Sequence, residues 1–312
     1  MPCIMVQGTM SGAGKSTLVT ALCRILSDRG YDVAPFKSQN MSGYVSGGIS
    51  RAQAVQAAAA RLPLSFHMNP VLLVPRSDHT SEVFERGVSQ GVMDTQTYYR
   101  YAAGRGIGAA LESLESLRRM HDVVVLEGAG SPAEINVPFD MANMRMAEAA
   151  SAPVIIVSDI ERGGCFAQMA GTISLLEPRH QKMVRGFIIN KFRGDPSILG
   201  PGTARILETT GKPVLGVIPY TRTRLPPEDS LDGGDADANL EDAVGQAAAH
   251  WGLVPGRPDS DTPLEDAVRQ TARTAAATLN SFLHPGLEEA IDHTAGIVES
   301  ALDIGAILDL LI

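Results

Sequence analysis

The reading of the chain turns on "MVQGTMSGAGKSTLVTALCRIL", residues 5–26. An apolar run ends at Gly8, a glycine-rich turn follows, and Lys15-Ser16-Thr17 opens a segment with Leu18, Leu22, Ile25 and Leu26 at helical spacing. Strand, turn and helix in that order make a phosphate cradle. Backbone N–H groups of the turn point inward, and the helix N-terminus adds partial positive charge. Within Gly8-Thr9-Met10-Ser11-Gly12-Ala13-Gly14-Lys15-Ser16-Thr17, Lys15 is placed to neutralise β- and γ-phosphates and the Ser16 hydroxyl to ligate Mg2+. Five residues separate Gly8 from Gly14, where the commonest loop of this kind has four. The bland alternative is a glycine-rich turn with a chance Lys-Ser, and the flanking strand and helix weigh against it.

Working outward, short β-rich runs recur: "CIMVQ" (3–7), "DVAPF" (32–36), "DVVVLE" (122–127), "PVIIVSD" (153–159), "GFIINK" (186–191) and "PVLGVIP" (213–219). They are nearly continuous in apolar residues, which implies burial on both faces, as in a parallel sheet covered by helices. Helical stretches lie between them; the first is expected over Ser16–Asp28, with Gly30 as its stop. The expected class is α/β: a mostly parallel sheet with helices on both faces, plus a short helical C-terminal extension. After about Tyr220 the composition changes. The Pro-, Gly- and Asp-rich "RLPPEDSLDGGDADANLEDA" (224–243) reads as linker, and 263–283 and 286–312 read as helical. The expected organisation is therefore a core unit over 1–223, an irregular stretch over 224–262 and a helical extension over 263–312.

Several polar residues fall at the ends of these strands. Glu127 closes "VVVLE", at the sheet edge where ligands of parallel sheets bind, and can hold Mg2+ directly or through water. Lys37 and Gln39 in "PFKSQN", Asp159 with Arg162 in "SDIERGG", and Asn190 with Lys191 in "INKFRGD" lie at corresponding positions. One such residue is an ordinary loop residue; several delivered to one edge suggest a shared cleft. The seven histidines show no metal-ligand spacing, and His180 and His293, in polar stretches, are expected at the surface.

With a net charge of −9, the chain is a poor partner for nucleic acid or anionic membrane. The three cysteines, Cys3, Cys23 and Cys165, form no C-x-x-C pair, which fits a reducing cytoplasm. No apolar run reaches membrane-spanning length, and the N-terminus lacks the features of a signal peptide.

Taken together, "VQGTMSGAGKSTL", "APFKSQNM", "RAQAVQA", "MNPVLLVPRSD", "VVLEGAGSPAEIN", "MAEAASAPVIIVSDIERGG", "GFIINKFRGD" and "PVLGVIPY" closely resemble cobyric acid synthase, of the dethiobiotin-synthetase-like branch of P-loop NTPase-type proteins. The resemblance runs from residue 3 to about 232 and includes "LPPEDSL" (225–231). The five-residue spacing belongs to that branch too. The resemblance implies ATP-dependent amidation of peripheral carboxylates of adenosylcobyrinic acid a,c-diamide, a corrinoid, to give cobyric acid in cobalamin biosynthesis. It implies ATP and Mg2+ as cofactors, with Gly8, Thr9, Ser11, Gly12 and Gly14 in the cradle, Lys15 and Thr17 on phosphates, and Ser16 with Glu127 on Mg2+. Asn190 matches the position that reads the adenine edge. Lys37 and Arg162 are candidates for contacting corrin carboxylates or the transferring phosphoryl group.

Family members carry a C-terminal glutamine amidotransferase domain with a nucleophilic Cys, yet the final 147 residues here hold no Cys. Use of free ammonia, recruitment of a separate glutaminase subunit, or an amidotransferase-deficient relic are the three outcomes that follow. The "NMSGYVSGGISRAQ" loop is also shorter than the family form. Two alternatives stand beside the leading reading: a cobyrinate a,c-diamide synthase or dethiobiotin-synthetase-like ligase, and a partition-type ATPase switch that dimerises around ATP. The switch reading brings a homo-oligomer with it. The C-terminal "ESALDIGAILDLLI" is acidic and apolar rather than basic, which disfavours membrane attachment. Its Leu302, Ile304, Ile307, Leu308 and Leu311 are expected to pack on the body or on a partner subunit.

Overall fold

The computed structural model describes residues 2–42, 45–46, 49–134, 140–226 and 286–311. The first half of the chain contains β1 (Cys3–Gly8), α1 (Lys15–Asp28), β2 (Val33–Phe36), β3 (Gln39–Met41), β4 (Val45–Ser46), β5 (Ile49–Ser50) and α2 (Arg51–Ala59). Next come β6 (Val71–Ser77), β7 (Thr80–Glu85), β8 (Val88–Asp94), α3 (Thr95–Tyr101), α4 (Ile107–Met120) and β9 (Val123–Glu127). The second half contains α5 (Met144–Ala150), β10 (Val154–Asp159), α6 (Cys165–Leu175), α7 (Pro178–Met183), β11 (Val184–Phe192), α8 (Gly200–Thr210) and β12 (Val214–Pro219). Beyond them lie α9 (Leu287–Ala301) and α10 (Ile304–Asp309).

The six runs read as buried strands form one sheet, in the order β12-β11-β10-β1-β9-β2, and every pairing is parallel. Alternate residues of each strand feed two cores. Met5, Leu126, Ile156 and Phe187 pack with α4, α5 and α6 on one face. Ile4, Val6, Val125 and Val157 pack with Leu18, Leu22 and Ile25 of α1 on the other. Each fully buried side chain of this size contributes about 1.5–3 kcal/mol, which is why strands covered on both faces read as unbroken apolar runs. Strand β1 lies centrally, with β9 on one side and β10 on the other. The chain therefore changes direction across the sheet at β1, the switch point where ligands of open parallel sheets bind.

A second sheet, β3-β6-β7-β8, was not expected from the sequence. Two-residue turns at Asp78-His79 and Arg86-Gly87 join its antiparallel strands. Arg86 (φ 48°) and Gly87 (φ 79°) are both left-handed, as a type I′ hairpin requires. The hairpin escapes a hydrophobic reading because it is largely solvated: of β7 only Val83 is buried, and no residue of β8 is.

The tail packs on the body rather than standing off it. Leu287, Ile291, Leu302, Ile304 and Ile307 join the core that contains α1, with Leu308 and Leu311 packed against it. Arg24 of α1, 2% exposed along its side chain, is ion-paired with Glu288 and lies 3.4 Å from Asp292 of α9. Gly216 of β12 bridges Leu302; a Cβ there would come within 2.4 Å of Leu302 Cδ2. The helical expectation over 286–312 agrees with α9 and α10, whereas that over 263–283 lies outside the described residues, as does most of the stretch read as linker. His180 corrects an expectation: it is buried, 3.5 Å from Glu148 Oε2, because α7 packs over α5.

Candidate nucleotide site

Strand β1 delivers the loop. Gly8 ends the strand at a crowded point, where a Cβ would lie 2.9 Å from Met10 O and 3.2 Å from the Lys15 side chain. Gly14 immediately precedes α1 at φ 100°, and a Cβ on it would fall 2.1 Å from Asn190 Nδ2. Only glycine satisfies both demands. The turn is held from below by two neighbours at the tip of β11. Asn190 Nδ2 donates to Ala13 O at 2.9 Å, and Lys191 Nζ donates to Gly12 O at 2.9 Å while pairing with Asp159 Oδ2 at 2.8 Å. Thr9 Oγ1 is tied to Gln168 Oε1 at 2.8 Å and lies 3.1 Å from Ser158 Oγ. The backbone of the loop is thereby set before any ligand arrives, the preorganisation an anion cradle needs.

Lys15 folds back across the turn and donates to Met10 O at 3.3 Å and Gly130 O at 3.2 Å. A phosphate oxygen at the loop mouth would be a stronger partner for an ammonium than a carbonyl at that length.

Glu127 lies at the end of β9, 1% exposed. Its Oε1 accepts from Ser16 Oγ and from Lys37 Nζ, both at 2.7 Å, and its Oε2 accepts from Gln56 Nε2. Lys37 is itself buried, at the end of β2. Of the residues singled out in the sequence, Gly8, Thr9, Gly12, Gly14, Lys15, Ser16, Lys37, Glu127 and Asn190 thus converge on one edge of the sheet. Asn190 meets the loop through its amide nitrogen, and its Oδ1 accepts from Lys191 N at 2.8 Å. Ser11 is exposed and Thr17 half-buried on the first turn of α1. Arg162 stands apart, exposed in the turn after β10, with no side-chain partner among the described residues.

The oxygen pair of Ser16 and Glu127 suits a hard cation. Mg2+ keeps several waters and takes one or two protein oxygens beside substrate phosphates, and this is the donor set present. Among the described residues no cluster of three or more His, Cys, Asp or Glu side chains offers a softer or more complete cage.

Sequence reasoning missed Gln56 and Asn143. Asn143 Nδ2 donates to Ala129 O at 2.7 Å, steadying the turn whose Gly130 carbonyl receives Lys15. Gly128 makes room for it, since a Cβ there would lie 2.3 Å from Asn143 Oδ1. The pair Gln53 and Gln56, spaced three apart in "RAQAVQA", was the available signal for Gln56.

A parallel sheet with a glycine-rich turn feeding a helix, a lysine across the turn and a serine–carboxylate pair beside it defines a nucleotide-binding P-loop domain. The chain belongs to the CobQ/CobB/MinD/ParA nucleotide binding domain family, whose model matches residues 4–227. It is 53% identical over 234 residues to the probable cobyric acid synthase of Thermococcus kodakarensis, covering 73% of this chain and 48% of that protein. A cobyric acid synthase of Dehalococcoides mccartyi is 43% identical over 310 residues, covering 96% of this chain and 61% of its own. The chain spans about half the length of several of the curated relatives it matches. Among solved structures, the MinD cell division protein of Aquifex aeolicus is similar at 13% identity with a TM-score of 0.40, over 91% of this chain and 99% of that one. Among the described residues, no helix is long and apolar enough to cross a membrane.

Proposed function

We propose that the chain carries the ATP-dependent amide-forming chemistry of a cobyric acid synthase, acting on peripheral carboxylates of adenosylcobyrinic acid a,c-diamide. A carboxylate is a poor electrophile. Transfer of the γ-phosphoryl group of ATP to one of its oxygens gives an acyl phosphate and ADP; ammonia then attacks the acyl carbon, phosphate leaves, and the nitrogen loses a proton. Such transfers depend on positioning and on charge neutralisation more than on covalent help from the protein. In this reading the loop N–H groups and Lys15 hold the β- and γ-phosphates, with Thr17 beside them. Ser16 and Glu127 hold Mg2+, which would neutralise charge on the phosphoryl oxygens. Lys37, paired with Glu127 Oε1, balances the charge of that carboxylate and is a candidate for contacting corrin carboxylates or the transferring phosphoryl group. Asn190 reads the adenine edge, and Arg162, exposed in the turn after β10, is a candidate for contacting corrin carboxylates or the transferring phosphoryl group.

The observation that carries the proposal is the burial of Glu127 between Ser16 and Lys37 at the edge where the loop opens. The nitrogen donor is ammonia, free or delivered by a separate glutaminase. The test is incubation with ATP, Mg2+, an ammonium salt and cobyrinic a,c-diamide, followed by mass spectrometry of the corrinoid. Stepwise exchange of hydroxyl for amino groups, absent when ATP is omitted, is the expected result. An unaltered corrinoid under conditions where ATP binds would refute the substrate.

A further inference from the structure

Glu127 is the end point of a chain of buried amides. Gln53 and Gln56 of α2 have no exposed surface, and Asn40, Ser50 and Asn69 are each at most 4% exposed. Asn40 Oδ1 accepts from Met41 N at 3.0 Å, so its amide nitrogen must face the other way. That nitrogen donates to Ser50 Oγ at 2.7 Å and Gln53 Oε1 at 3.1 Å, and the Ser50 hydroxyl also donates to Gln53 Oε1. With its oxygen so occupied, Gln53 turns Nε2 toward Gln56 Oε1 at 3.5 Å. Gln56 in turn presents Nε2 to Glu127 Oε2.

An amide has one accepting and one donating end. The orientation chosen at Asn40 therefore passes down the line, and reversing any one member sets like ends face to face in a dry interior. The polarity of the chain ends in a donor aimed at a carboxylate. Asn69 ties the same network to the counter-ion: its Oδ1 accepts from Ser50 N at 3.3 Å, and its Nδ2 donates to the Lys37 carbonyl at 3.1 Å.

We infer that Gln56 is a positioning residue for Glu127: by donating to Oε2 it turns Oε1 toward Ser16 and Lys37, with Asn40, Ser50 and Gln53 fixing its own orientation. The consequence rests on the nucleotide reading above. A carboxylate held in one rotamer presents a ready oxygen to Mg2+, whereas a loosened one must be reordered each time. Partners of this kind around a ligating group are worth about 10–100-fold in metal affinity.

The experiment compares wild type, Gln56→Met, Glu127→Gln and the double variant for affinity toward a fluorescent ATP analogue, with and without Mg2+, alongside thermal unfolding. Methionine keeps the volume of glutamine and removes the donor. Gln56→Met is expected to leave Mg2+-free affinity unchanged and to raise the Mg2+ concentration needed for tight binding by about tenfold. In the Glu127→Gln background it should add nothing, because the group it orients is gone. Equal loss with and without Mg2+, additive effects in the double variant, or no effect at all would each overturn the inference. Wild-type protein that binds no nucleotide would remove the nucleotide reading itself; wild type that binds while Gln56→Met matches it sinks this inference alone. Should Gln56→Met fail to fold, Gln53→Met, one step further from the carboxylate, makes the same comparison and is expected to show a smaller shift in the same direction.

Discussion

Replacement of Lys37 by methionine puts the electrostatics of the site to a quantitative test. Lys37 and Glu127 are 2.7 Å apart, with side chains 4% and 0% exposed. At an effective dielectric constant of about 20, Coulomb's law gives an attraction of about 6 kcal/mol at that separation. Much of it is offset by the loss of hydration of both ions, so the pair is worth little compared with two apolar groups. Removing one partner is another matter, because the survivor keeps its desolvation penalty and loses its counter-charge; such changes cost about 3–5 kcal/mol. Ser16 and Gln56 still donate to the stranded carboxylate. Those bonds place Lys37→Met at the low end of that range, about 3 kcal/mol.

A second substitution sharpens the prediction. Adding Glu127→Gln removes the stranded charge, leaving only imperfect packing and one mismatched donor, about 1–2 kcal/mol in all. The double variant should therefore be more stable than Lys37→Met alone. Urea unfolding of the nucleotide-free protein, followed by far-ultraviolet circular dichroism, measures both differences. A double variant as unstable as the single one, or less stable, would show that the pair is not the buried, mutually compensating unit described.

Other consequences can be checked separately. Gly14→Ala forces a Cβ into Asn190 Nδ2 at a left-handed position, and should abolish binding of a fluorescent ATP analogue while the far-ultraviolet spectrum stays unchanged. Glu288→Gln combined with Asp292→Asn leaves the Arg24 guanidinium buried without a counter-charge, a loss of about 3 kcal/mol in urea unfolding. Arg24→Met should cost under half as much, since the two carboxylates it abandons are 54% and 62% exposed and pass into water; the reverse ranking would refute the asymmetry. Cys23 is fully buried, and burial together with the charge of Glu127 pushes its thiol far above the ordinary range. Native protein at mildly alkaline pH should leave Cys23 unlabelled by iodoacetamide until urea is added, as read by peptide mass spectrometry.

The parallel sheet was legible because burial on both faces leaves a local trace: six runs of consecutive apolar residues. The glycine-rich turn was legible for a related reason, since one short segment holds the strand end, the positive-φ glycines and the helix start. Glu127 and Asn190 could be singled out as strand-end residues, yet their partners could not. Gln56 lies 71 residues from Glu127 in sequence and sits among alanines on a helix, where an amide ordinarily faces solvent. The outer hairpin of β7 and β8 went unread because its side chains are mostly wet and its turn is Arg-Gly rather than Asn-Gly. His180 misled for the opposite reason: polar neighbours in "EPRHQK" hid its place in the contact between α5 and α7.

By itself, then, the amino-acid order determined which segments become buried parallel strands and where a phosphate-binding turn must form, because both follow from local hydrophobicity and backbone conformation. Tertiary structure alone decided that Lys37 neutralises Glu127, that a line of amides ends on that carboxylate, and that Arg24 clasps α9. Those pairings depend on distances across the sheet and between helices, and a charge or an amide carries no sign in sequence of which distant group will share its dry surroundings.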